Sequence, residues 1–216
     1  MSCKHCCGAN QQFNLKSAKN DLKRYLKKGP RKPTKLVIEA LKTIDLKGLS
    51  LLDVGGGIGP IPLELIPHGL TEVTNVDASE GYMHIAKAEA EKRNYNDMIT
   101  SHLGDFTDIQ EQIQKHDIVT LDKVICCYPY MDDLLKASLS KAKKYYALVY
   151  PQANVLSKLG VKILNLILKL KGNSFRTFIH SPILVESTIA NAGFKKIYSN
   201  KTFLSWNIHL YKKEIS

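Results

Sequence analysis

One stretch decides how this chain folds: Ser50-Leu51-Leu52-Asp53-Val54-Gly55-Gly56-Gly57-Ile58-Gly59-Pro60. It is a short apolar run stopped abruptly by glycines, which is typical of a buried parallel strand that turns into a helix. Glycines let the backbone turn sharply and approach a ligand closely, and open α/β sheets bind ligands at the carboxyl ends of their strands. The stretch therefore predicts a strand, a ligand-binding loop and a helix, in that order.

Four more apolar runs repeat this pattern at residues 72–77, 98–103, 117–125 and 145–150, with helical stretches between them. Strands that alternate with helices predict right-handed crossovers and a parallel sheet covered by helices on both faces. Two last strand-like runs, at 194–199 and 202–211, are separated by about two residues, which predicts an antiparallel hairpin at the sheet edge. We therefore expect a three-layer αβα, Rossmann-like α/β fold with a mostly parallel sheet of seven strands.

Helical periodicity predicts amphipathic helices at 14–28, from 34 onward, at 79–93, 155–170 and 182–191. The first two are rich in lysine and precede the first strand. We therefore divide the chain into a basic helical N-terminal extension, residues 1–46, and a cofactor-binding domain, residues 47–216.

The spacing of the glycines distinguishes two classes of cofactor. In the dinucleotide-binding pattern G-x-G-x-x-G, counted from Gly55, the third glycine would fall at Pro60, where close packing of helix on strand requires Gly or Ala. The run instead has the form acidic-x-G-x-G, which suits an amino-acid cofactor rather than a pyrophosphate. Asp53 is then expected to hold the ammonium end of this cofactor through the loop of Gly55, Gly56 and Gly57.

Two more carboxylates follow the next two strands. Asp77 ends the second strand, where a carboxylate can accept hydrogen bonds from ribose hydroxyls, and Ala78 leads from it towards a helix. Asp105 follows the third strand, where it can accept from an adenine amino group while Phe106 packs near the ring. Each could also be an ordinary turn at a strand end, but their order at three successive strand ends favours one shared site.

With this order of motifs, the sequence resembles the class I S-adenosylmethionine-dependent methyltransferases over nearly its whole length. Residues 121–129 (LDKVICCYP) and 175–180 (FRTFIH) are similar to stretches of the magnesium-protoporphyrin O-methyltransferases. The resemblance implies that S-adenosylmethionine is the cofactor, that Lys123 lies among its binding residues, and that the acceptor is small and partly hydrophobic. The sequence departs from those enzymes at Cys127, where they typically have a histidine.

The candidate catalytic residues are Cys127, Tyr128 and His180. Residues after the fourth strand face the methyl group in the class I fold, so Cys127, Tyr128 and Tyr130 are expected to shape the acceptor pocket, with Asp132 behind them. A general base is needed only if the acceptor arrives protonated, which a carboxylate does not. Tyr128 could bind the acceptor or pack, and His180 could be a base or a capping residue.

The formal net charge of +11 comes from 31 Lys and Arg residues against 20 Asp and Glu residues, and much of the excess lies at 16–35 and 158–171. A clustered basic surface favours polyanions, anionic lipid or an acidic substrate, but solvated helix faces explain it equally well. An RNA methyltransferase that uses the basic extension is therefore the alternative function, although the sequence lacks an Asn/Asp-Pro-Pro-Tyr loop. A third hypothesis is a catalytically inactive, cofactor-binding partner subunit.

The predicted helix at 155–170 places Lys158, Lys162, Asn165 and Lys169 on one stripe, with Leu, Ile and Val elsewhere. It could be a lid over a hydrophobic acceptor or a peripheral contact with anionic lipid, but a core-packed helix with a basic outer stripe is the favoured interpretation. It is too short and too charged to span a bilayer, and the N-terminus lacks the apolar run of a secretory signal. We therefore expect a cytoplasmic protein.

Five cysteines in such a protein are expected to be thiols, ligands or packing residues rather than disulfides. Cys3 and Cys6 have the spacing of a zinc-binding pair, to which His5 or Cys7 could add a ligand. Alternatively, the N-terminus folds over the active site and brings its thiols to the pair at 126–127, a set suited to a soft metal or metalloid, or it is a mobile reduced tail. We assign no metal site.

Overall fold

The computed structural model describes residues 4–203 and 205–214, with side chains from residue 8 onward. Its strands are β1 (Ser50–Val54), β2 (Glu72–Asp77), β3 (Ile99–Leu103), β4 (His116–Asp122), β5 (Ala142–Pro151), β6 (Phe194–Lys201) and β7 (Trp206–Lys213). They form one seven-stranded sheet in the order β3-β2-β1-β4-β5-β7-β6. The first five strands are parallel, and β7 pairs antiparallel with both β5 and β6. The predicted fold class is confirmed.

The helices are α1 (Lys4–Gln12), α2 (Leu15–Lys28), α3 (Lys32–Leu41), α4 (Pro60–Leu65), α5 (Glu80–Lys92), α6 (Phe106–Ile109), α7 (Met131–Ser140), α8 (Val155–Leu170) and α9 (Pro182–Asn191). Successive side chains of a strand point to opposite faces of the sheet. Leu52 accordingly belongs to a buried cluster with residues of α7 and α9, whereas Leu51 belongs to a second cluster with residues of α3 and α4. Two apolar layers therefore hold the sheet between helices.

The end of β4 differs from the prediction, which continued the strand to Ile125. The strand ends at Asp122, because Lys123 has a left-handed backbone conformation (φ 65°) that turns the chain away from the sheet. Residues 125–127 then form a single 3-10 turn. The apolar side chains that looked like strand are packed in the core from this turn, with Ile125 fully buried.

The final hairpin is antiparallel as predicted, but its connection is longer than the expected two residues. β6 ends at Lys201 and β7 begins at Trp206. The connection is closed by the backbone amide of Thr202, which donates to the carbonyl of Trp206 at 2.9 Å. The side-chain amide of Gln152 donates to the carbonyls of both Thr202 and Trp206. Polar partners outside the hairpin therefore fix a turn that strand propensity alone does not locate.

The N-terminal helices pack on the sheet layers. α2 lies against α5 so closely that a Cβ atom on Gly81 would be 2.4 Å from the backbone nitrogen of Leu15. The Tyr82 hydroxyl donates to Asp21 at 2.7 Å, and the Tyr25 hydroxyl donates to Glu64 at 2.8 Å. Helix α3 contributes buried side chains beneath β5 and β7. The division of the chain at residue 46 stays a prediction.

Helix α8 has the predicted bounds, but the favoured interpretation of a core-packed helix is wrong. Of its side chains, all of which the structure describes, Leu168 alone is buried. Most of the Leu, Ile and Val side chains are exposed, and Asn165 turns inward from the lysine stripe to bond Thr177. Apolar periodicity shows that a face avoids water but does not show what covers it. None of the described helices is long and apolar enough to cross a membrane.

Candidate active site

The predicted cofactor residues meet around one cavity of about 550 Å³ at the carboxyl edge of the sheet. All of them line it: Asp53, Gly55, Gly56, Gly57, Asp77, Ala78, Asp105, Phe106 and Lys123. Cys127 and Tyr128 line the same cavity, whereas His180 lies behind its wall. Parallel strands bring their carboxyl ends together, so residues separated by up to 75 positions in the sequence converge at this edge of the sheet.

The glycine loop follows β1 in a conformation that requires glycine at two positions. Gly55 (φ 65°) donates its amide to the Val76 carbonyl at 2.7 Å, and Gly57 (φ 60°) donates its amide to Asp77 Oδ2 at 2.8 Å. Gly56 has an ordinary φ but no room for a side chain, since a Cβ atom there would be 2.3 Å from Asn75 Oδ1. The loop thus lies directly against the polar ends of β1 and β2.

Buried oxygen atoms at the base of the cavity lack a donor. Asp53 is 1% exposed, and its Oδ1 accepts from the Thr120 hydroxyl at 2.6 Å. Among the residues that the structure describes, Asp53 Oδ2 has no hydrogen-bond partner, and the buried atoms Asn75 Oδ1 and Asp122 Oδ1 have none either. Buried acceptors without a donor are costly, and a cationic donor such as an ammonium group would satisfy them. This set therefore fits the amino-acid end of S-adenosylmethionine.

Burial raises the pKa of Asp53 to about 7, and the neighbouring carboxylates of Asp122 and Asp77 add to this effect against the opposing Thr120 hydrogen bond. The Asp53 carboxyl is therefore protonated below about pH 7 in the ligand-free fold and ionised above it. A cofactor ammonium favours the ionised form, so cofactor affinity should rise with pH through this range and fall as the pH is lowered.

We expect the dissociation constant of S-adenosylhomocysteine, which carries the same ammonium end, to increase about ten-fold between about pH 8 and about pH 6, since one proton competes with the ligand. Calorimetry at both pH values measures this change, and buffers of different ionisation enthalpy reveal the released proton. In Asp53→Asn the affinity should be weaker and independent of pH. Equal affinities of the unmodified chain at both pH values would remove Asp53 from the ammonium site.

Asp77 joins the glycine loop to the next helix. Its Oδ2 accepts from the Gly57 amide and its Oδ1 from the Ser79 amide, both at 2.8 Å. Burial raises the pKa of Asp77, and these two backbone hydrogen bonds oppose the rise. Each carboxylate oxygen has a second lone pair, so this anchored side chain still has acceptor capacity on the cavity side for two hydroxyl groups.

Tyr128 points to Asp105, on the predicted adenine side of the cavity. Its hydroxyl lies 3.1 Å from Asp105 Oδ2 and 2.6 Å from the Thr107 hydroxyl, while the Thr107 amide donates to Asp105 Oδ1 at 3.0 Å. The same ring contacts Tyr130 edge to face, but Tyr130 itself is 67% exposed and outside the cavity lining. The Tyr128 hydroxyl thus positions Asp105 and Thr107.

The end of β4 contains a polar cluster that sequence reasoning missed. Thr34, from α3, donates to Asp122 Oδ2 at 2.6 Å, and Lys123 Nζ lies 2.9 Å from the Thr34 hydroxyl and 3.0 Å from Asp122 Oδ2. The left-handed backbone of Lys123 lets its ammonium return towards the preceding carboxylate. An Asp-Lys pair at a strand end was the available signal for Asp122, whereas no pattern links Thr34 to a strand 88 residues away.

The remaining catalytic candidates occupy different surroundings. Cys127 Sγ lies 3.7 Å from Cys126 Sγ, and the hydrogen bond between these thiols, together with burial, raises the pKa of Cys126 well above its usual value. His180 Nε2 lies 2.8 Å from the Ile125 carbonyl and 3.1 Å from the Tyr128 carbonyl. Carbonyls only accept, so this nitrogen carries a hydrogen and ties the 125–128 turn to the chain after α8.

A cover of residues from distant parts of the sequence borders the cavity. Phe13 packs edge to face on Tyr82 and on Phe175, with ring centroids 5.9 Å and 5.2 Å apart, and the Ser79 hydroxyl donates to the Phe13 carbonyl. Helix α1 fits tightly, because a Cβ atom on Gly8 would be 2.6 Å from the Phe175 nitrogen. Sequence reasoning missed these lining residues: Phe13, Leu164, Phe175 and Trp206.

The N-terminal thiols cannot be placed in this cover. Cys3 lies outside the described residues, and the side chains of His5, Cys6 and Cys7 lie outside the described side chains. Among the side chains from residue 8 onward that the structure describes, no three His, Cys, Asp or Glu residues cluster as metal ligands. The zinc and thiol-cluster hypotheses for the N-terminus stay predictions.

The sequence and the fold of this chain are similar to those of several methyltransferases. Residues 51–145 match the family model described as a methyltransferase domain. Magnesium protoporphyrin IX methyltransferase from Synechocystis PCC 6803, solved with S-adenosylmethionine, is similar with a TM-score of 0.72, 16% identity and coverage of 99% of each chain. An O-methyltransferase family 2 protein from Planctomyces limnophilus, solved with apigenin, has a TM-score of 0.61 and 20% identity over 78% of this chain and 52% of its own.

A putative RNA methyltransferase from Pyrococcus horikoshii is also similar, with a TM-score of 0.59, 13% identity and coverage of 84% of this chain and 83% of its own. No curated protein sequence matches this chain. The predicted resemblance to class I methyltransferases, including the magnesium-protoporphyrin group, is confirmed. Both solved structures of the magnesium protoporphyrin IX methyltransferase hold the cofactor or its demethylated product, S-adenosylmethionine in one and S-adenosylhomocysteine in the other.

Proposed function

We propose that this chain is a class I S-adenosylmethionine-dependent methyltransferase that transfers the methyl group to a small, largely apolar acceptor bound in the cavity described above. The observation that carries the proposal is the cover: Phe13, Leu164, Phe175 and Trp206 surround the space next to the cofactor residues. Enclosed, mostly apolar pockets with a few convergent polar groups are typical of small-molecule sites.

Each of the predicted cofactor residues would recognise a different part of S-adenosylmethionine. Asp53 would accept from the ammonium group, Asp77 from the ribose hydroxyls and Asp105 from the adenine amino group, while Ala78 and Phe106 would pack against the ring. Bound S-adenosylmethionine would supply an electrophilic methyl group, which the acceptor would attack in line with the methyl–sulfur bond so that S-adenosylhomocysteine leaves. Positioning of the two reactants would then supply most of the catalysis. Cys127, at the start of the wall that follows β4, would contact the acceptor.

A carboxylate is the acceptor nucleophile that best fits the side chains around the cavity. Tyr128 is bonded to Asp105 and Thr107, and His180 Nε2 faces two carbonyls, so neither is aimed at the cavity as a general base. The high pKa of Cys126 keeps its thiol protonated. A carboxylate is already ionised and needs no base. Arg24, which donates to the neutral Gly29 carbonyl, brings a positive charge to the cavity wall.

The RNA hypothesis is less well supported by where the lysines lie. Asp21, Arg24 and Tyr25 of α2 line the cavity. At 100° per residue, Lys16, Lys19, Lys23 and Lys27 fall on the opposite side of this helix, and all four are exposed. Phosphates bound there would be separated from the methyl group by the width of the helix, about 10 Å.

The test is transfer of labelled methyl from S-adenosylmethionine to an extract divided into RNA and small molecules. We expect label in the organic-soluble small molecules, released as volatile methanol by mild alkali, because a methyl ester is hydrolysed whereas N-methyl and C-methyl groups are retained. Label that precipitates with RNA would favour the alternative function. Alkali-stable label in a small molecule would contradict the carboxylate, and absence of any turnover would favour the inactive partner subunit.

A further inference from the structure

We propose that α8 docks this protein on an anionic membrane surface, with its outer face inserted among the lipid headgroups. This outer face consists of seven apolar side chains: Val155, Leu156, Leu159, Ile163, Leu166, Ile167 and Leu170. Each is between 43% and 80% exposed. The docking itself does not depend on the identity of the acceptor.

The helix presents three distinct faces. At 100° per residue the seven outer residues span roughly 120° of the helix surface. Ser157, Val161, Asn165 and Leu168 fall on the side that faces the protein and are the least exposed residues of the helix. Lys158, Lys162 and Lys169 form a row between these two faces. A helix that is covered on one side and apolar on the other still has a large face to bury.

Contacts with the rest of the protein hold this orientation. Leu168 is buried, and Asn165 exchanges hydrogen bonds with the backbone of Thr177, donating at 2.8 Å and accepting at 2.9 Å. At the start of the helix, the Asn154 side chain accepts from the Ser157 amide at 2.8 Å. The outer face is therefore presented by a fixed helix.

The charges on and next to this face select the partner. The helix has three lysines and no Asp or Glu, Lys171 follows it directly, and the whole chain carries +11. An apolar face flanked by lysines is typical of helices that lie in the interface of anionic bilayers. A second copy of α8 would offer apolar contact but no carboxylate for the ammonium groups. Anionic lipid satisfies both features, so it is the occupant to which the proposal commits.

A second exposed apolar group lies at the same edge of the sheet. Phe203, 88% exposed, is in the turn between β6 and β7, and this turn is bonded to Gln152, two residues before the Asn154 cap of α8. Leu164 of α8 and Trp206 after the turn both line the cavity. Docking would thus place the cavity beside the bilayer, and under the proposed function the acceptor would be an apolar molecule dissolved in lipid.

The test is co-sedimentation of the full chain with vesicles of phosphatidylcholine alone or mixed in equal parts with phosphatidylglycerol. We expect binding to the mixed vesicles that weakens as salt is added, and at least ten-fold weaker binding by Ile163→Asp/Leu166→Asp. Leu26→Asp, at an exposed leucine of α2, is the matched control and should bind like the unmodified chain. Lys158→Gln/Lys162→Gln should lose roughly five-fold per lysine.

Equal sedimentation of all variants would overturn the proposal, as would equal binding to neutral and mixed vesicles. A dimer that dissociates in Ile163→Asp/Leu166→Asp, without vesicle binding by the unmodified chain, would assign the face to a second copy instead. Since no methyl transfer is measured, these outcomes are independent of the proposed acceptor. Melting temperatures of the variants are expected to stay close to that of the unmodified chain, because both replaced side chains are exposed.

Discussion

Gly56→Ala is expected to weaken S-adenosylmethionine binding about a hundred-fold. The new methyl group would lie 2.3 Å from Asn75 Oδ1 and 2.6 Å from Asp53 Oδ2, two buried atoms with little freedom to move. Overpacking of this kind costs about 1–3 kcal/mol, which at its upper end corresponds to about a hundred-fold in affinity. The loop would have to leave the ends of β1 and β2, and the amide of Gly57 would leave Asp77 with it. Calorimetric titration measures the loss.

Gly160→Ala is the matched control for this change. Gly160 lies on α8, where a Cβ atom would have no neighbour within 4 Å in the described part of the chain, so alanine should leave cofactor affinity unchanged. Glycine within a helix is less favourable than alanine, and the control should be equally or more stable. If Gly56→Ala binds the cofactor as tightly as the unmodified chain, the loop does not form the floor of the site.

Asp77→Ala is expected to weaken cofactor binding about ten-fold to a hundred-fold. Hydrogen bonds from two ribose hydroxyls to a carboxylate are charge-assisted, and such bonds contribute about 1.5–3 kcal/mol. The replacement also leaves the amides of Gly57 and Ser79 without their acceptor, which loosens the loop and the start of α5. Both effects act on binding, so the dissociation constant is the quantity to measure.

Asp97→Ala provides the comparison, since Asp97 is an exposed carboxylate that precedes β3 outside the cavity lining. It should bind the cofactor like the unmodified chain. An unchanged dissociation constant in a folded Asp77→Ala protein would exclude Asp77 from ribose recognition. A loss of folding in Asp77→Ala would instead assign the carboxylate to the stability of the loop.

The sheet and the residues that line the candidate site at its carboxyl edge could be predicted because their signals are local. An apolar run that ends in glycine or aspartate marks the carboxyl end of a strand within the sequence itself. The parallel arrangement of the strands then brings these ends together at one edge of the sheet. Three short stretches of sequence are therefore enough to predict that Asp53, Asp77 and Asp105 line one cavity. Asp77 shows the limit of this reasoning, since its bonds to the Gly57 and Ser79 amides have no sequence signature.

The parts that could not be predicted depend on contacts between distant residues. Thr34 reaches Asp122 from 88 residues away, and Gln12 accepts from Asn173 across 161 residues. Strand β4 ends three residues earlier than predicted because Lys123 adopts a left-handed backbone conformation. This conformation is uncommon for residues other than glycine, so the sequence does not predict it for a lysine. The exposure of α8 could not be predicted because the spacing of its apolar residues indicates only that the helix is amphipathic. The apolar face of an amphipathic helix can be covered by a protein core or by a membrane.

The central claim is that the acidic carboxyl edge of this sheet binds the amino-acid cofactor S-adenosylmethionine. Calorimetric titration of the intact chain with S-adenosylmethionine and, separately, with NAD tests it most directly. Carboxylates of Asp53, Asp77 and Asp122 around the loop disfavour a pyrophosphate, and Pro60 occupies the position of the third dinucleotide glycine. We predict one S-adenosylmethionine per chain at micromolar affinity and no NAD binding. NAD binding without S-adenosylmethionine binding would contradict the account.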